Sequence, residues 1–146
     1  MNADPAASDP GADGWRPMPS APLPGGLGVP WSKRVDGVWH YGLATTPAHA
    51  NPQGALHGGV LMTLADHALS LLAWEAAERA PCTTIQLNTH FLSAVRPGEF
   101  VSIAGEVTRR TGSMVFVRGV VSAGGRSVGA VDGIWRVLRG GGGGSR

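Results

Sequence analysis

Two features of this chain have residue types and a spacing suited to bond-making chemistry: a glycine pair at the start of a helical pattern, and one carboxylate inside it. The run Asn51-Pro52-Gln53-Gly54-Ala55-Leu56-His57-Gly58-Gly59 leads straight into the apolar stretch Val60, Leu61, Leu64, Ala65, Ala68, Leu69, Leu71, Leu72. The first N–H groups of a helix have no intrahelical acceptor, and glycine lets a ligand come close to them. The positive end of the helix dipole adds to their pull. Such a place suits a negatively charged oxygen, of a phosphate or of a tetrahedral intermediate. A glycine pair before a helix also serves as a plain flexible turn. Asp66 stands among Leu64, Ala65, Ala68 and Leu69. A carboxylate there is costly unless it is paired or reaches a cavity, and a partly desolvated carboxylate is a general-base candidate. The plainer alternative is an Asp66 that reaches solvent, or pairs with His67 or an arginine.

Gly58 and Asp66 are eight residues apart, so one helix separates them by ~12 Å and turns them roughly 80° apart. Asp66 therefore cannot act on a carbonyl held at its own Gly58. If both act on one carbonyl, a second copy of the helix lies antiparallel beside the first. That condition predicts a dimer with two composite sites, each taking Gly58 from one chain and Asp66 from the other.

The remaining polar candidates are Asn51, His57, His67, Thr83, Thr84, Gln86, Asn88 and His90. A histidine at a helix start commonly holds the preceding loop, and Thr83 and Thr84 suit a strand. No His, Cys or carboxylate spacing resembles a metal site, so no metal is expected. There is no nucleophile-elbow motif, and the single cysteine, Cys82, excludes an intrachain disulfide.

The chain has 146 residues, 42% hydrophobic and 15% charged, with a net charge of +2, which suits one domain with a sizeable core and little polar surface. So few charges favour apolar surface hidden between subunits. Eight arginines, from Arg79 to Arg139, are scattered through the second half without a basic run or an aromatic stripe. Nucleic acid is therefore not the expected partner, while phosphates of a small ligand or plain solvent are. No apolar run approaches the ~18 residues of a membrane span, and no basic-then-apolar leader is seen, so a cytoplasmic protein is expected.

The elements that must position these residues lie between 31 and 139. Residues 1–30, rich in Pro, Gly, Ala and Asp, read as a disordered or loosely docked arm, and 140–146 as a flexible glycine-rich tail. A strand is expected over 37–46, then a loop, then a helix over 58–79 that is apolar on nearly all sides and ended by Pro81. Four strands follow, over 83–92, 99–111, 113–122 and 126–138. In the first of them Ile85, Leu87 and Thr89 alternate with Thr84, Gln86, Asn88 and His90, the pattern of a half-buried strand. One long buried helix with strands on both sides of it in sequence predicts an α+β domain, an antiparallel sheet wrapped round the helix.

The pattern Asn51-x-x-Gly54-x-x-His57-Gly58-Gly59, followed by Leu64-Ala65-Asp66, resembles the signature of hotdog-fold thioesterases of the PaaI-like, phenylacetic-acid-degradation group. The resemblance covers about residues 35–138. It implies a hotdog fold, homodimers that pair into homotetramers, and hydrolysis of an acyl- or aryl-CoA thioester to free acid and coenzyme A. Coenzyme A then enters only as part of the substrate, and no separate cofactor is implied. Gly58 N–H resembles the family's oxyanion donor and Asp66 its general base or nucleophile. Asn51 resembles a residue that positions the thioester or the water, and His57 one that orders the loop. Thr84, or Thr83 one step away, falls where relatives assist the water. Gly59, Thr83, Leu61 and His67 are expected to border the substrate. Hotdog enzymes of the 4-hydroxybenzoyl-CoA type carry Glu on the helix, where this chain has Asp66. Two other readings stay open: a non-catalytic acyl-CoA sensor, and a hydratase or dehydratase working through a His57–Asp66 pair across the interface.

Overall fold

A computed structural model of the chain describes residues 9–139; residues 1–8 of the arm and the tail at 140–146 lie outside them. Seven strands are formed: β1 (Arg16–Pro17), β2 (Trp31–Val35), β3 (Val38–Ala44), β4 (Cys82–Phe91), β5 (Phe100–Arg110), β6 (Met114–Ala123) and β7 (Arg126–Val137). They make one antiparallel sheet in the order β1-β2-β3-β5-β6-β7-β4, with one long helix, α1 (Gly58–Ala76), packed against it. The sheet-round-a-helix α+β arrangement expected of a hotdog fold is what the chain forms.

The meander β5-β6-β7 closes through short turns, the second at Gly124-Gly125, where both residues have positive φ (56° and 75°). Two-residue hairpins need that conformation, and glycine takes it without steric cost. β4 precedes β5 in sequence but pairs with β7. Residues 92–99 therefore carry the chain from the β4 edge back past β7 and β6 to β5.

α1 buries Val60, Leu61, Leu64, Ala65, Ala68, Leu69, Leu72 and Ala73 against the sheet. Each fully buried leucine contributes roughly 1.5–3 kcal/mol. At Gly105 a Cβ would come within 2.6 Å of Leu72 Cδ1, so a side chain on β5 there would force the leucines of α1 to repack. The arc carrying Thr63, Asp66, Ser70 and Trp74 is only half-buried. The helix is thus not covered on all sides, as its composition had suggested.

The helix also stops at Ala76, three residues before the expected end. Glu78 and Arg79 take positive φ (55° and 65°), and the Arg79 N–H donates back to Trp74 O at 2.8 Å. The chain thereby leaves the helix before Pro81 can force it to.

Two further differences have local causes. β2 went unread because Lys33 and Arg34 interrupt its apolar residues, although the positive-φ pair Asp36-Gly37 makes a hairpin turn to β3. From Asp9 on, the stretch read as an arm has defined partners. Leu23 is buried, Met18 N–H donates to Pro30 O at 2.8 Å, and the Trp15 ring meets Phe100 edge-on at 4.9 Å.

β4 departs from simple alternation. The ladder to β7 runs Thr84↔Trp135 and then Gln86↔Ile134, so Ile85 is bulged out of register. A bulge adds one residue and inverts the faces beyond it. Thr84 therefore shares the helix-facing side with Leu87 and Thr89, while Ile85 is 51% exposed. Ile85 does not join the buried face, and Thr84 does not lie opposite it.

Trp135 is the largest fully buried side chain, and its indole Nε1–H donates to Ser70 Oγ of α1 at 2.8 Å. Removing the acceptor leaves a buried donor unpaired, so Ser70→Ala is expected to destabilise the fold by about 1–3 kcal/mol. A lower urea midpoint with an unchanged denaturant slope is the expected readout; an unchanged midpoint would show that water reaches the indole.

Candidate functional site

The loop before α1 is held by three side chains. Asn51 Oδ1 accepts the N–H groups of Gln53 and Ala55, both at 3.0 Å. His57 is the N-cap: its Nδ1 accepts Gly59 N–H at 2.9 Å, which leaves the ring proton on Nε2. His49, which the sequence analysis did not single out, is buried; its Nδ1 accepts Thr46 N–H at 3.0 Å and its Nε2 meets Leu27 O at 2.7 Å. A carbonyl only accepts, so Nε2 carries the proton there too. His49 O in turn accepts His57 N–H at 2.8 Å. The readable sign of this was Thr46-Pro47 three and two residues ahead of His49, the opening of a capped turn.

These contacts sort the helix-start donors. Val60 and Leu61 N–H both donate to His57 O, and Gly59 N–H is taken by the His57 ring. Gly58 N–H has no acceptor among the described residues. It is the donor left free at the positive end of a 19-residue helix. Gly59, expected beside the substrate, gives its N–H to the cap.

Two turns further on, Asp66 is half-buried, and Thr84 Oγ1 donates to its Oδ1 at 2.6 Å. The bulge at Ile85 brings Thr84 to this side. Thr83 pairs with Arg136, is exposed and faces away from the helix. Of the two threonines it is Thr84 that meets the carboxylate. Asp66 Oδ2 has no hydrogen bond among the described residues, so one carboxylate oxygen stays free while the other fixes the rotamer. His67 is half-buried with an unpartnered Nε2. Burial pushes it below the usual imidazole range, against the opposing pull of Asp66. A neutral ring is the result, and no hydrogen bond ties it to Asp66.

A cavity of about 380 Å³ opens at the N-terminus of α1, bordered by Asn51, Leu56, Gly58, Leu61, Phe91 and Val95 among others. Leu61, almost wholly buried, belongs to its floor. The Phe91 ring lies where a Cβ on Gly58 would meet it at 3.1 Å, so any side chain at 58 would crowd the ring. A larger groove of about 750 Å³ crosses the outer face of β5-β6-β7, lined by Glu106, Arg118 and Asp132, and touches neither Gly58 nor Asp66. Among the described residues no group of three or more His, Cys, Asp or Glu could hold a metal ion, and no helix is long and apolar enough to cross a membrane.

The cavity wall at Ala94 and Val95 is fastened by one ion pair. Arg126 Nη1 and Nη2 donate to Glu99 Oε1 and Oε2 at 2.6 and 2.9 Å, and Nη2 also donates to Ala94 O at 3.0 Å. Glu99 Oε2 accepts Arg96 N–H at 2.7 Å, and Leu56 N–H closes the loop onto Val95 O at 2.8 Å.

Residues 53–130 match a family model described as the thioesterase superfamily. Human acyl-coenzyme A thioesterase 13 is 33% identical over 69 residues, 47% of this chain and 49% of that protein, so the chain spans about half the length of this relative. Among solved structures, a phenylacetic acid degradation-related protein from Ralstonia eutropha JMP134 superposes with a TM-score of 0.70 at 28% identity, over 82% of this chain and 94% of that one. A Bacillus halodurans protein crystallised with CoA shares the fold, with a TM-score of 0.65 at 23% identity over 72% of this chain and 70% of that one.

The Glu99–Arg126 pair yields a pH prediction. The Arg126 hydrogen bond, with help from Arg96 N–H, holds the Glu99 carboxyl below its ordinary value of 4.5. A lowered folded-state value means that the stabilisation is complete above that ordinary value and is lost as pH falls through the folded one. Relative to Glu99→Gln, the wild type is expected to be more stable at neutral pH, with the difference vanishing in acid. Thermal melts of both proteins from pH 7 to pH 3 test this; parallel curves would show that the pair contributes nothing.

Proposed function

We propose, starting from a chain that belongs to the thioesterase superfamily, that it hydrolyses an acyl-CoA thioester to the free acid and coenzyme A. The observation that carries this reading is the Asp66 carboxylate held by Thr84 at 2.6 Å, on the same helix whose start leaves Gly58 N–H unclaimed. A base and an oxyanion donor are the two parts that thioester hydrolysis needs. The CoA bound to the Bacillus halodurans neighbour and the name of the human relative agree with this substrate class.

The two parts lie ~12 Å apart along one helix, so they meet only across a dimer. Support for that dimer comes from β4, an edge strand along which Ile85, Phe91 and the following Leu92 are exposed at 51%, 55% and 61%. Unpaired edges with apolar side chains are rarely left open in a stable protein. Beside this edge runs the half-buried arc of α1 that carries Asp66. A second copy docked there, antiparallel, brings Asp66 of the partner subunit towards Gly58.

The reaction then runs as follows. The thioester carbonyl oxygen accepts from Gly58 N–H, where the helix dipole favours growing negative charge. Asp66 of the partner subunit, its rotamer fixed by Thr84, takes a proton from water through the free Oδ2 as the water oxygen bonds to the carbonyl carbon. The tetrahedral oxyanion is stabilised by the Gly58 donor, worth about 3 kcal/mol in such sites. It collapses with loss of the CoA thiolate, and the proton held by Asp66 leaves with the products. Asn51 and His57 act indirectly, by keeping the loop in the shape that exposes Gly58. The chemistry requires water alone as co-substrate and no metal or redox cofactor. His57 has its basic Nδ1 committed to Gly59 N–H, which argues against a hydratase that would use this ring to move protons.

Thiol release from short, medium, long and aryl acyl-CoAs tests the proposal. Asp66→Asn is expected to lower kcat by about 10²–10⁴-fold, the usual contribution of a general base. Thr84→Ala is expected to lower it about tenfold, with Thr84→Ser restoring it, since a hydrogen bond to a charged group is worth about 1.5–3 kcal/mol. Turnover unchanged in Asp66→Asn would remove Asp66 from the chemistry. Tight CoA-ester binding without turnover by the wild type would make the protein a sensor instead.

A further inference from the structure

We propose that Phe91 sets the upper size of the acyl group, restricting the enzyme to short acyl chains. This inference rests on the thioesterase reading above and adds a specificity-determining residue to it.

Phe91 is the last residue of β4, and the bulge at Ile85 puts it on the helix-facing side, in phase with Leu87 and Thr89. Its ring is fitted against Gly58, the first residue of α1, with Cζ and Cε1 at 3.1 and 3.3 Å from where a Gly58 Cβ would be. A carbonyl held at Gly58 N–H therefore has this ring beside its first carbons. Around the ring, Leu56, Leu61, Leu92 and Val95 supply the apolar part of the lining of this cavity of about 380 Å³. Ligand cavities span roughly 300–1,000 Å³, so this one lies towards the lower end of that range.

Beyond Phe91 the strand ends and the chain turns away, with Leu92 and Ser93 N–H both bonded to Val128 O at 2.9 and 3.2 Å. The backbone behind the ring is thus anchored, and the ring marks the end of the cavity towards the β4 edge. Cutting the side chain back extends the cavity in that direction; a larger ring shortens it.

The test compares kcat/KM for butanoyl-CoA and decanoyl-CoA in the wild type, Phe91→Ala and Phe91→Trp. The wild type is expected to favour butanoyl-CoA. Phe91→Ala is expected to raise the decanoyl-to-butanoyl ratio at least ~10-fold, within the range that a few methylenes of pocket contact supply. Phe91→Trp is expected to lower the ratio. Equal losses on both substrates in both variants would make Phe91 a structural residue and overturn the proposal, as would a wild type that prefers decanoyl-CoA. A wild type that turns over neither ester, nor any other acyl-CoA, sinks the thioesterase reading itself and this inference with it.

Discussion

A carboxylate set among leucines and alanines on a helix has to find a donor, and here the donor comes from the strand that breaks its own alternation. The bulge at Ile85 spends one residue of β4 outside the ladder and turns Thr84 inward to Asp66. The same phase shift puts Leu87 and Thr89 on the core side and carries Phe91 round to the helix start. Without the bulge, Thr84 would lie on the outer face with Thr83's present neighbours, and Asp66 would hold its rotamer with no partner. The position of the acid, the wall of the cavity and the exposed apolar edge thus follow from a single irregularity.

Much of this architecture was legible in the residues. The long apolar run 60–72 could only be a buried helix, and the turn signals at Arg96-Pro97-Gly98, Gly112 and Gly124-Gly125 delimit the last three strands to within a residue or two. Gly58 and Asp66 stood out as candidates because each is out of keeping with its neighbours. The bulge was not legible, because the alternation Thr84, Ile85, Gln86, Leu87 is a flawless period-two pattern. Its faces are assigned by the hydrogen bonds to Trp135 and Ile134, which no local pattern contains. β2 was hidden for a related reason, since an edge-proximal strand that carries Lys33 and Arg34 looks like loop. His49 was hidden because one of its two partners, Leu27, lies 22 residues away in sequence.

The division of labour among the polar residues of the loop also became clear only in three dimensions. Asn51 resembles a residue that positions the thioester or the water, and His57 one that orders the loop; here the Asn51 carbonyl and the His57 Nδ1 are both spent on backbone N–H groups of the loop and the cap. That leaves the Asn51 amide and the His57 Nε2–H as donors and removes both residues as bases. A site that gathers donors round a helix N-terminus and brings its one carboxylate from elsewhere avoids a conflict. A carboxylate of the same chain placed at Gly58 would pair with those donors and fill the position that an oxyanion needs.

This conflict explains why the acid and the donor sit on one helix but out of each other's reach. Held ~12 Å apart along α1, each keeps its own environment: the donor at the positive end of the dipole, the acid two turns down where that field has faded. In the proposed dimer, bringing them together through a second copy lets substrate arrive between two surfaces that are each already formed. The loop 92–99, tied by Glu99 and Arg126, and the cap, tied by His57 and His49, are each held by hydrogen bonds within a single chain. What association must then supply is only the approach of two edges. The apolar side chains that β4 leaves uncovered, Ile85, Phe91 and Leu92, lie along that edge. On this view the exposed strand is the complement of the split site: the feature that separates acid from donor within one chain also requires a surface that reunites them between two.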